Sequence, residues 1–502
     1  MSKTFALAAL ALLAGCMVGP DYKRPEAPAP ADYKEDGWKP AEPKDTTRRG
    51  EWWSIYEDPV LDGLEKQIDI SNQNLKSAEA AYDEARAVVA EGEAGLFPTL
   101  SLTGSGTRSG QGSNNRLPGA SSGASASSIA LSGNASWDLD LWGRIRRTIE
   151  SDVANAQASA ADLANARLSA QGQLAALYFE LRAADALQKL LYEAVDAFSQ
   201  SLQIVRNQRA AGTAADTDVV TAETQVEQTR AQAIAEGVQR AQFEHAIAAL
   251  IGKPPAELSI APAPLTMAVP TPPAELPSAL LERRPDIAAA ERLIASANAQ
   301  IGVVIAGYYP DVTLSGSYGY ASSGLGKLLR AASSLWSVGG QFVEPVFNAG
   351  LTAAQVDAAK AAYAQAVANY RQTVLTGFQQ VEDELAALRI LAQQQAVEDN
   401  TVRLAREAER LTLNQYQQGT VAYTAVVVAE ATRLTNEETA LGILQSRLVA
   451  SVALIQALGG GWSASDLPDE RQVKADDPPR PNGTTKSGDL GPSRGIAPAA
   501  QE

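Results

Sequence analysis

Two long stretches without proline constrain the fold of this chain more than any other feature. They lie between Pro118 and Pro254 and between Pro345 and Pro468, and hold 135 and 122 residues. From Ile145 to Val205, apolar or small residues recur over 60 residues in 17 steps, a period that keeps one seam of a helix against a partner. An amphipathic core helix would account for about 20 residues only. The pattern therefore predicts a helix over 143–211, roughly 100 Å long at about 1.5 Å per residue.

Two strand pairs are predicted, in separate regions. From Ile129 to Leu141, odd positions are apolar or small and even positions are small or polar, so one face of the strand is apolar and the other is wet. It completes a hairpin over 97–141, and a second hairpin is predicted over 309–347. Five aromatic residues lie toward strand ends, as in interfacial belts: Trp137, Trp142, Tyr308, Tyr309 and Trp336. Two soluble hairpins are the alternative.

The number of predicted strands bears on assembly. Closure of a barrel takes about eight strands, and an open strand edge is not viable in lipid because its N–H and C=O groups find no water. If the four strands span a membrane, several protomers must therefore share one barrel.

The chain also contains an internal repeat. Residues 212–223 match residues 419–430 at an offset of 207, and 97–102 echo 309–314. Each half reads helix, hairpin, very long helix, Gly-Thr turn and helix. We assign 59–252 to the first repeat, 281–462 to the second, and 253–280 to an equatorial linker between them.

The N-terminus predicts a compartment. Lys3, an apolar run from Phe5 to Leu13 and the small residues before Cys16 resemble a bacterial lipoprotein signal over residues 1–15. Cleavage would leave a lipidated Cys16 at the start of an extended, membrane-anchored segment, 16–58, and several acyl chains anchor a protein stably. Met17 stands where an Asp would resemble an inner-membrane retention signal, so we expect the outer membrane. An ordinary secretory signal with an incidental Cys is the alternative.

Composition excludes several functions. The chain has 58 acidic and 42 basic residues, and this net charge of −16 argues against a nucleic-acid partner. One His and one Cys leave little room for a His-based triad or a zinc site, so we expect neither an enzyme nor a metal or other cofactor. His245 is interpreted as a packing residue. Residues 463–502, rich in Pro, Gly and charge, predict a disordered tail.

Four short motifs follow the lipoprotein signal in order: VGPDYKRP at 18–25, WDLDLWG at 137–143, RRPDI at 283–287 and YQQGT at 416–420. Together they resemble the outer-membrane efflux lipoproteins, the TolC/OprM-like channels of the NodT type, over residues 13 to 462. The resemblance implies a mixed α and β fold and a homotrimer. Its twelve-stranded transmembrane β-barrel, four strands per protomer, would sit in outer-membrane lipid and continue as a long α-helical coiled-coil barrel through the periplasm. It further implies a passive conduit, with a periplasmic adaptor protein and an inner-membrane resistance-nodulation-division transporter as partners.

The periplasmic tips are expected at the turns 212–217 and 419–424, because Gly212 and Gly419 each break a long helix. The candidate gate residues are Asp216, Asp218, Glu223, Tyr423, Thr424, Val428 and Glu430. Val428 stands where some relatives carry an Asp that narrows the aperture. Two readings therefore stay open, an ionic gate and an apolar or steric gate through Tyr423, Thr424 and Val428, and solvated tip charge is the alternative for each residue. We expect opening to untwist the tip helices.

Asp138 and Asp140 share a strand face and are expected to be wet lumen carboxylates near the helical end of the barrel. A pair for hydrolysis or a calcium site are the alternatives. Three functions remain: export of drugs or other small molecules, a conduit of the same fold for type I protein secretion, and a non-channel lipoprotein that tethers the envelope. Lipidation and the segment 283–286 favour small-molecule efflux, and the alternation from Ile129 to Leu141 disfavours the tether.

Overall fold

The computed structural model describes residues 17–28, 33–34, 51–110, 126–265, 268–270 and 282–474. Cys16, the signal segment and residues 475–502 lie outside them. The described helices are α1 (Pro59–Ser71), α2 (Gln73–Ala94), α3 (Arg144–Ala210), α4 (Asp216–Leu250), α5 (Pro285–Ala306), α6 (Leu351–Gln417), α7 (Tyr423–Ala457) and α8 (Glu470–Lys474). The strands are β1 (Thr99–Ser109), β2 (Ala126–Leu139), β3 (Asp311–Ser322) and β4 (Ser334–Val343). Short 3₁₀ turns cover Trp52–Tyr56, Pro255–Glu257, Leu325–Lys327, Ala331–Ser333 and Ala464–Asp466.

The internal repeat is confirmed by the lengths of the helices. The helices α2 and α5 each have 22 residues, α3 and α6 each have 67, and α4 and α7 each have 35. Each long helix starts after a left-handed glycine, Gly143 with φ 79° and Gly350 with φ 85°. Only glycine adopts this conformation without steric cost, so the strand-to-helix corner uses the same device in both halves.

The start of α3 is capped by a residue that lies three positions before its N-cap residue. Its N-cap residue, Gly143, has no side chain that can accept a hydrogen bond. Asp140 supplies the acceptor instead, with its Oδ1 2.9 Å from the Ile145 N–H and its Oδ2 3.0 Å from the Arg146 N–H. These two bonds satisfy amides that a helix start leaves without partners.

The four strands form one antiparallel sheet in the order β1-β2-β3-β4. The register places Asp138 opposite Thr313 and Thr313 opposite Gln341, while Trp137 lies opposite Leu314. Because paired residues share a face, one face collects hydroxyl and amide side chains: Thr99, Ser101, Thr103, Ser132, Asn134, Ser136, Ser315, Ser317 and Ser337. The other face collects apolar and aromatic side chains: Leu100, Leu102, Leu131, Leu139, Val312, Leu314, Tyr318, Trp336, Val338 and Phe342. Since one wet and one apolar face run across all four strands, the sheet suits a boundary between water and lipid.

Within the described residues the sheet is open. Its outer strands, β1 and β4, each pair on one side only. The strands have 11, 14, 12 and 10 residues. A tilted strand needs about 9–11 residues to cross the hydrocarbon core, so all four are long enough.

The N-terminal strap, residues 17–28, has no helix or strand of its own. The Arg147 side chain, 1% exposed, holds its start by donating to the Val18 carbonyl at 3.0 Å, the Gly19 carbonyl at 3.2 Å and Asp21 Oδ1 at 3.0 Å. Further along, the Tyr22 hydroxyl donates to Glu291 of α5 and Arg24 donates to the Tyr370 hydroxyl of α6. The expected extended tether is thus fastened at its start to three helices.

The segment after α4 is held by a buried ion network. Asp185 of α3 accepts from Arg182 at 3.0 Å, from Arg240 of α4 at 2.7 Å and from the Ala263 N–H at 3.1 Å. Arg240 also donates to the Ile260 carbonyl at 2.5 Å. These contacts fix the described first part of the linker against both helices.

The predicted disordered tail needs correction at its start. The segment 464–474 contains a 3₁₀ turn and the helix α8. Val473, 2% exposed, packs in a cluster with Val89 of α2 and Val153 of α3, and Lys474 lies 3.5 Å from Glu93. One apolar anchor and one ion pair order a segment whose average composition is polar.

Among the described helices, α7 alone is long and apolar enough to cross a membrane by length and composition, with a mean hydropathy of 1.5 over its most apolar window. It packs against α6 and α3. Buried Glu430 and Glu437 lie within it. Its buried apolar side chains, among them Val426, Leu434, Ile443 and Leu448, serve helix packing.

Candidate functional site

The first tip turn joins α3 to α4. Gly212 has φ 76°, and the Thr213 N–H donates back to the Gln208 carbonyl at 2.9 Å while the Gly212 N–H donates to the Arg209 carbonyl at 3.0 Å. A left-handed glycine with these back-bonds is the usual way in which a helix satisfies its last carbonyls and stops.

The second tip turn joins α6 to α7 and repeats that geometry. Gly419 has φ 73°, and the Thr420 N–H donates to the Gln415 carbonyl at 3.0 Å. The helical hairpins α3–α4 and α6–α7 have equal helix lengths. They therefore end in two turns of the same design, as expected for a duplicated tip.

The carboxylates of the first tip are all engaged locally. Asp216 Oδ1 lies 2.5 Å from Arg209 Nε, and this guanidinium lowers the pKa of the exposed Asp216 carboxyl. Asp218 accepts from the Ala215 N–H at 3.3 Å and caps α4, and Glu223 accepts from Arg206 at 2.7 Å. The first tip thus presents acid–arginine pairs and not free carboxylates.

At the second tip, three predicted gate residues divide into two groups. Thr424 and Val428, four residues apart on one face of α7, are exposed, and Val428 is 65% exposed. Tyr423 is 2% exposed, and its ring lies 5.2 Å from the ring of Tyr416 on α6. The expectation that Tyr423 lines an aperture is therefore corrected, because the first turn of α7 packs this ring against the last turn of α6.

The buried tyrosines belong to a tip cluster that joins all four long helices. Its buried members are Leu191, Ala194, Val195, Phe198, Leu202 and Val205 of α3, Ala222, Val226 and Ala233 of α4, Tyr416 of α6, and Tyr423, Val426 and Leu434 of α7. Burial raises the pKa of Tyr423, and the nearby Glu430 adds to the rise. The cluster couples the two hairpins, so they cannot move apart without exposing apolar surface to water.

Glu430 is also a predicted gate residue that proves to be buried, with 1% of its surface exposed. Its Oε1 accepts from the Ser201 hydroxyl of α3 at 2.5 Å. Its Oε2 has no hydrogen-bond partner among the described residues. Burial raises the pKa of Glu430 to about 7; Glu409 adds to the rise, while the Ser201 hydrogen bond and Arg433 oppose it.

One ion network beside this site was not predicted from the sequence. Arg433 of α7 lies 2.6 Å from Glu409 of α6 and 2.6 Å from Glu437 of α7, and Arg406 of α6 lies 2.6 Å from Glu437. The spacing of Arg433 and Glu437, four residues apart in one helix, is the only sequence signal for it. The network joins α6 to α7 behind the tip.

The two candidate lumen carboxylates have different surroundings. Asp138 is exposed on the wet sheet face and accepts from the Thr313 hydroxyl at 2.7 Å. Asp140, whose side chain is 9% exposed, caps α3 and lies 3.0 Å from Arg146 Nε. Asp140 is therefore corrected from a free lumen group to a capping residue. The described part of the chain contains no group of three or more side chains suited to a metal ion.

The predicted aromatic residues lie at two levels of the sheet. Toward the helices, the Trp142 ring stacks on Tyr309 at 4.8 Å, and the indole N–H groups of Trp142 and Trp137 donate at 2.9 Å to the carbonyls of Pro310 and Leu96. Tyr308 is 50% exposed beside them. Toward the other end, exposed Trp336 lies opposite Tyr318 on the apolar face. Aromatic side chains at two heights are typical of a sheet that crosses a membrane.

Comparison with known proteins also supports a sheet that crosses a membrane. The family model of the outer membrane efflux protein matches residues 64–253 and 276–460, one stretch in each repeat. The probable efflux pump outer membrane protein TtgC of Pseudomonas putida is 31% identical over 457 residues, which cover 90% of this chain and 94% of TtgC. The cation efflux system protein CusC of Escherichia coli is 30% identical over 454 residues, covering 90% of this chain and 96% of CusC.

A solved structure has the same fold. The outer-membrane channel OprN aligns with a TM-score of 0.80 at 29% identity, covering 89% of this chain and 100% of that chain. The expected mixed fold with four strands per chain is thus confirmed, as are the expected family and location. This chain belongs to the outer membrane efflux protein family.

Proposed function

We propose that three copies of this outer-membrane efflux channel close into one conduit, in which twelve strands form the membrane barrel and the long helices continue it through the periplasm. The open sheet carries this proposal. The free edges of β1 and β4 would leave backbone groups without partners in lipid, and a neighbouring copy supplies the missing strand on each side. In that assembly the apolar face meets lipid and the hydroxyl face lines the lumen.

The helices support the same assembly. On α6 an apolar seam repeats every seven residues and is 47% to 68% exposed: Ile390, Val397, Leu404 and Leu411. On α4 an apolar row is 58% to 62% exposed: Val220, Ile234 and Val238. Seven-residue spacing is the signature of a helix–helix seam, and we assign the α4 row of the neighbouring copy as its partner.

Lipidation at Cys16 and transport partners complete the proposal. The conduit is passive, so an inner-membrane resistance-nodulation-division transporter supplies the energy and a periplasmic adaptor docks on the turns at Gly212 and Gly419. The names of the relatives TtgC and CusC connect those proteins with efflux pumps and cation efflux. Drugs or other small molecules are the proposed cargo, and protein secretion through the same fold is the second reading.

At the aperture, Thr424 and Val428 are the proposed gate. Both are exposed on one face of α7, and threefold symmetry would turn each into a ring. Since neither carries a charge, this gate is apolar and steric. Opening untwists the tip helices and widens the rings.

Planar-bilayer conductance of the purified, lipidated protein tests the conduit, with chemical crosslinking of the same sample to count protomers. Discrete conductance steps from a crosslinked trimer are expected. Leu404→Glu places a charge in the seam and should reduce the trimer, whereas the matched Leu404→Met keeps an apolar side chain and should not. Monomers without conductance steps in the wild-type sample would refute the proposal.

A further inference from the structure

We propose that Glu430 is a proton-operated latch, which holds α7 against α3 at the tip of the closed channel and releases it when the carboxyl ionises. This inference rests on the proposed conduit and names a regulation of its gate. It starts from one contact, the hydrogen bond from Ser201 of α3 to Glu430 of α7 at 2.5 Å. The two residues belong to different repeats, so the bond ties one tip hairpin to the other.

The position of the carboxyl makes its charge costly. Glu430 is 1% exposed, and its helix packs there through the apolar tip cluster. Its Oε1 has a hydrogen-bond donor, but its Oε2 has none among the described residues. An ionised carboxylate would leave this oxygen charged, buried and without a donor, whereas a protonated carboxyl is neutral.

The surrounding charges do not remove this cost. The α3 helix presents the neutral Ser201, and α6 presents Glu409, which opposes ionisation. On α7 itself, Arg433 favours ionisation, but it already lies 2.6 Å from Glu409 and 2.6 Å from Glu437. A cation shared between two other carboxylates cannot fully compensate a third.

On its other side, Glu430 lies near Tyr423. Tyr423 lies seven residues, about two helical turns, before Glu430 and is buried, and nearby Tyr416 and Asp218 of α4 help to raise its pKa. Tyr423 is therefore neutral and offers no positive charge that would stabilise an ionised Glu430.

The direction of the pH effect follows from the two states. In the closed tip the pKa of Glu430 is about 7, and in an open tip that exposes it to water the pKa returns toward 4.5. The closed state then binds the proton more tightly, so acid favours closing and rising pH favours opening. Between pH 7.5 and pH 5.5 the closed-to-open ratio should rise on the order of 20-fold for each protomer.

Single-channel recording of the trimer from pH 5.5 to 7.5 tests the latch. The wild type should spend more time open as pH rises. Glu430→Gln, which stays neutral, should abolish this dependence and keep the channel at its acid level. Glu407→Gln is the matched control, because Glu407 is exposed on α6 and pairs with Arg410 of the same helix, and it should keep the wild-type profile.

A second variant tests the hydrogen bond to Glu430 and not only the packing around it. The Ser201 hydroxyl ties α3 to Glu430 in the closed tip, so Ser201→Ala should raise the open probability at acid pH and move the midpoint of opening to lower pH. An unchanged slope in Glu430→Gln, or an unmoved midpoint in Ser201→Ala, would overturn the latch. Conductance steps without pH dependence in the wild type would also overturn it and leave the conduit intact, whereas no steps at all would mean that the conduit itself fails.

Discussion

Replacing Arg147 with Met should release the N-terminal strap while α3 keeps its length. Arg147 is 1% exposed and donates to the carbonyls of Val18 and Gly19 at 3.0 and 3.2 Å. A hydrogen bond to a charged group contributes about 1.5–3 kcal/mol, so two give about 3 kcal/mol at the lower bound. We count nothing for the ion pair with Asp21, because that carboxylate is 86% exposed and screened by water.

Limited trypsin digestion measures this release. Lys23 is exposed within the strap, and cleavage after it requires the strap to open locally. A loss of about 3 kcal/mol raises the open population about 100-fold, so Arg147→Met should be cut about 100 times faster where opening limits cleavage. The control is Arg144→Met, since the Arg144 side chain is 49% exposed and pairs with Asp311 of β3 at 3.8 Å.

Mass spectrometry of the N-terminal fragment gives the rate, and crosslinking verifies that both variants remain assembled. If Arg147→Met and Arg144→Met are cut at the same rate, then the strap is held by its other contacts, and the reasoning from Arg147 is refuted.

Four further substitutions test other parts of the structure. Asp185→Ala would leave two guanidinium groups without their buried partner and should cost about 3–5 kcal/mol, seen as a lower thermal midpoint by circular dichroism; an unchanged midpoint would contradict the network. Gly419→Ala meets no atom within 4 Å and should cost only backbone strain, about 1 kcal/mol, whereas Gly302→Ala places its Cβ 2.9 Å from Arg147 and should lower the midpoint more. Val428→Ala should raise single-channel conductance, and equal conductance would exclude Val428 from the aperture.

The long helices could be predicted because their signal is periodic and local. A seam from Ile145 to Val205 and a glycine at each end define α3 almost to the residue, and observed α3 runs from Arg144 to Ala210. The strands could be predicted for the same reason, since apolar and polar residues alternate locally within each strand. Because the sequence repeats at an offset of 207, the elements that are predicted for one half of the chain are predicted for the other half as well.

Side-chain surroundings at the tip could not be predicted in this way. Tyr423 and Asp140 lie next to a turn and Glu430 lies in the first turns of α7, and sequence alone places such polar or aromatic residues toward water. Their burial depends on which neighbouring helix meets them, which is a long-range contact without a local pattern. The Arg147 contacts with the strap were missed for the same reason, because they join residues 126 to 129 positions apart.

The matched helix lengths of the two repeats have a consequence for symmetry. Three copies of two equal halves would make a wall of six nearly equivalent hairpins, so the tunnel would look sixfold to anything that senses only its backbone. The side chains break this likeness, since one tip carries acid–arginine pairs at Asp216 and Glu223 and the other exposes neutral Thr424 and Val428. A partner that grips every hairpin would therefore meet two alternating chemistries around one ring.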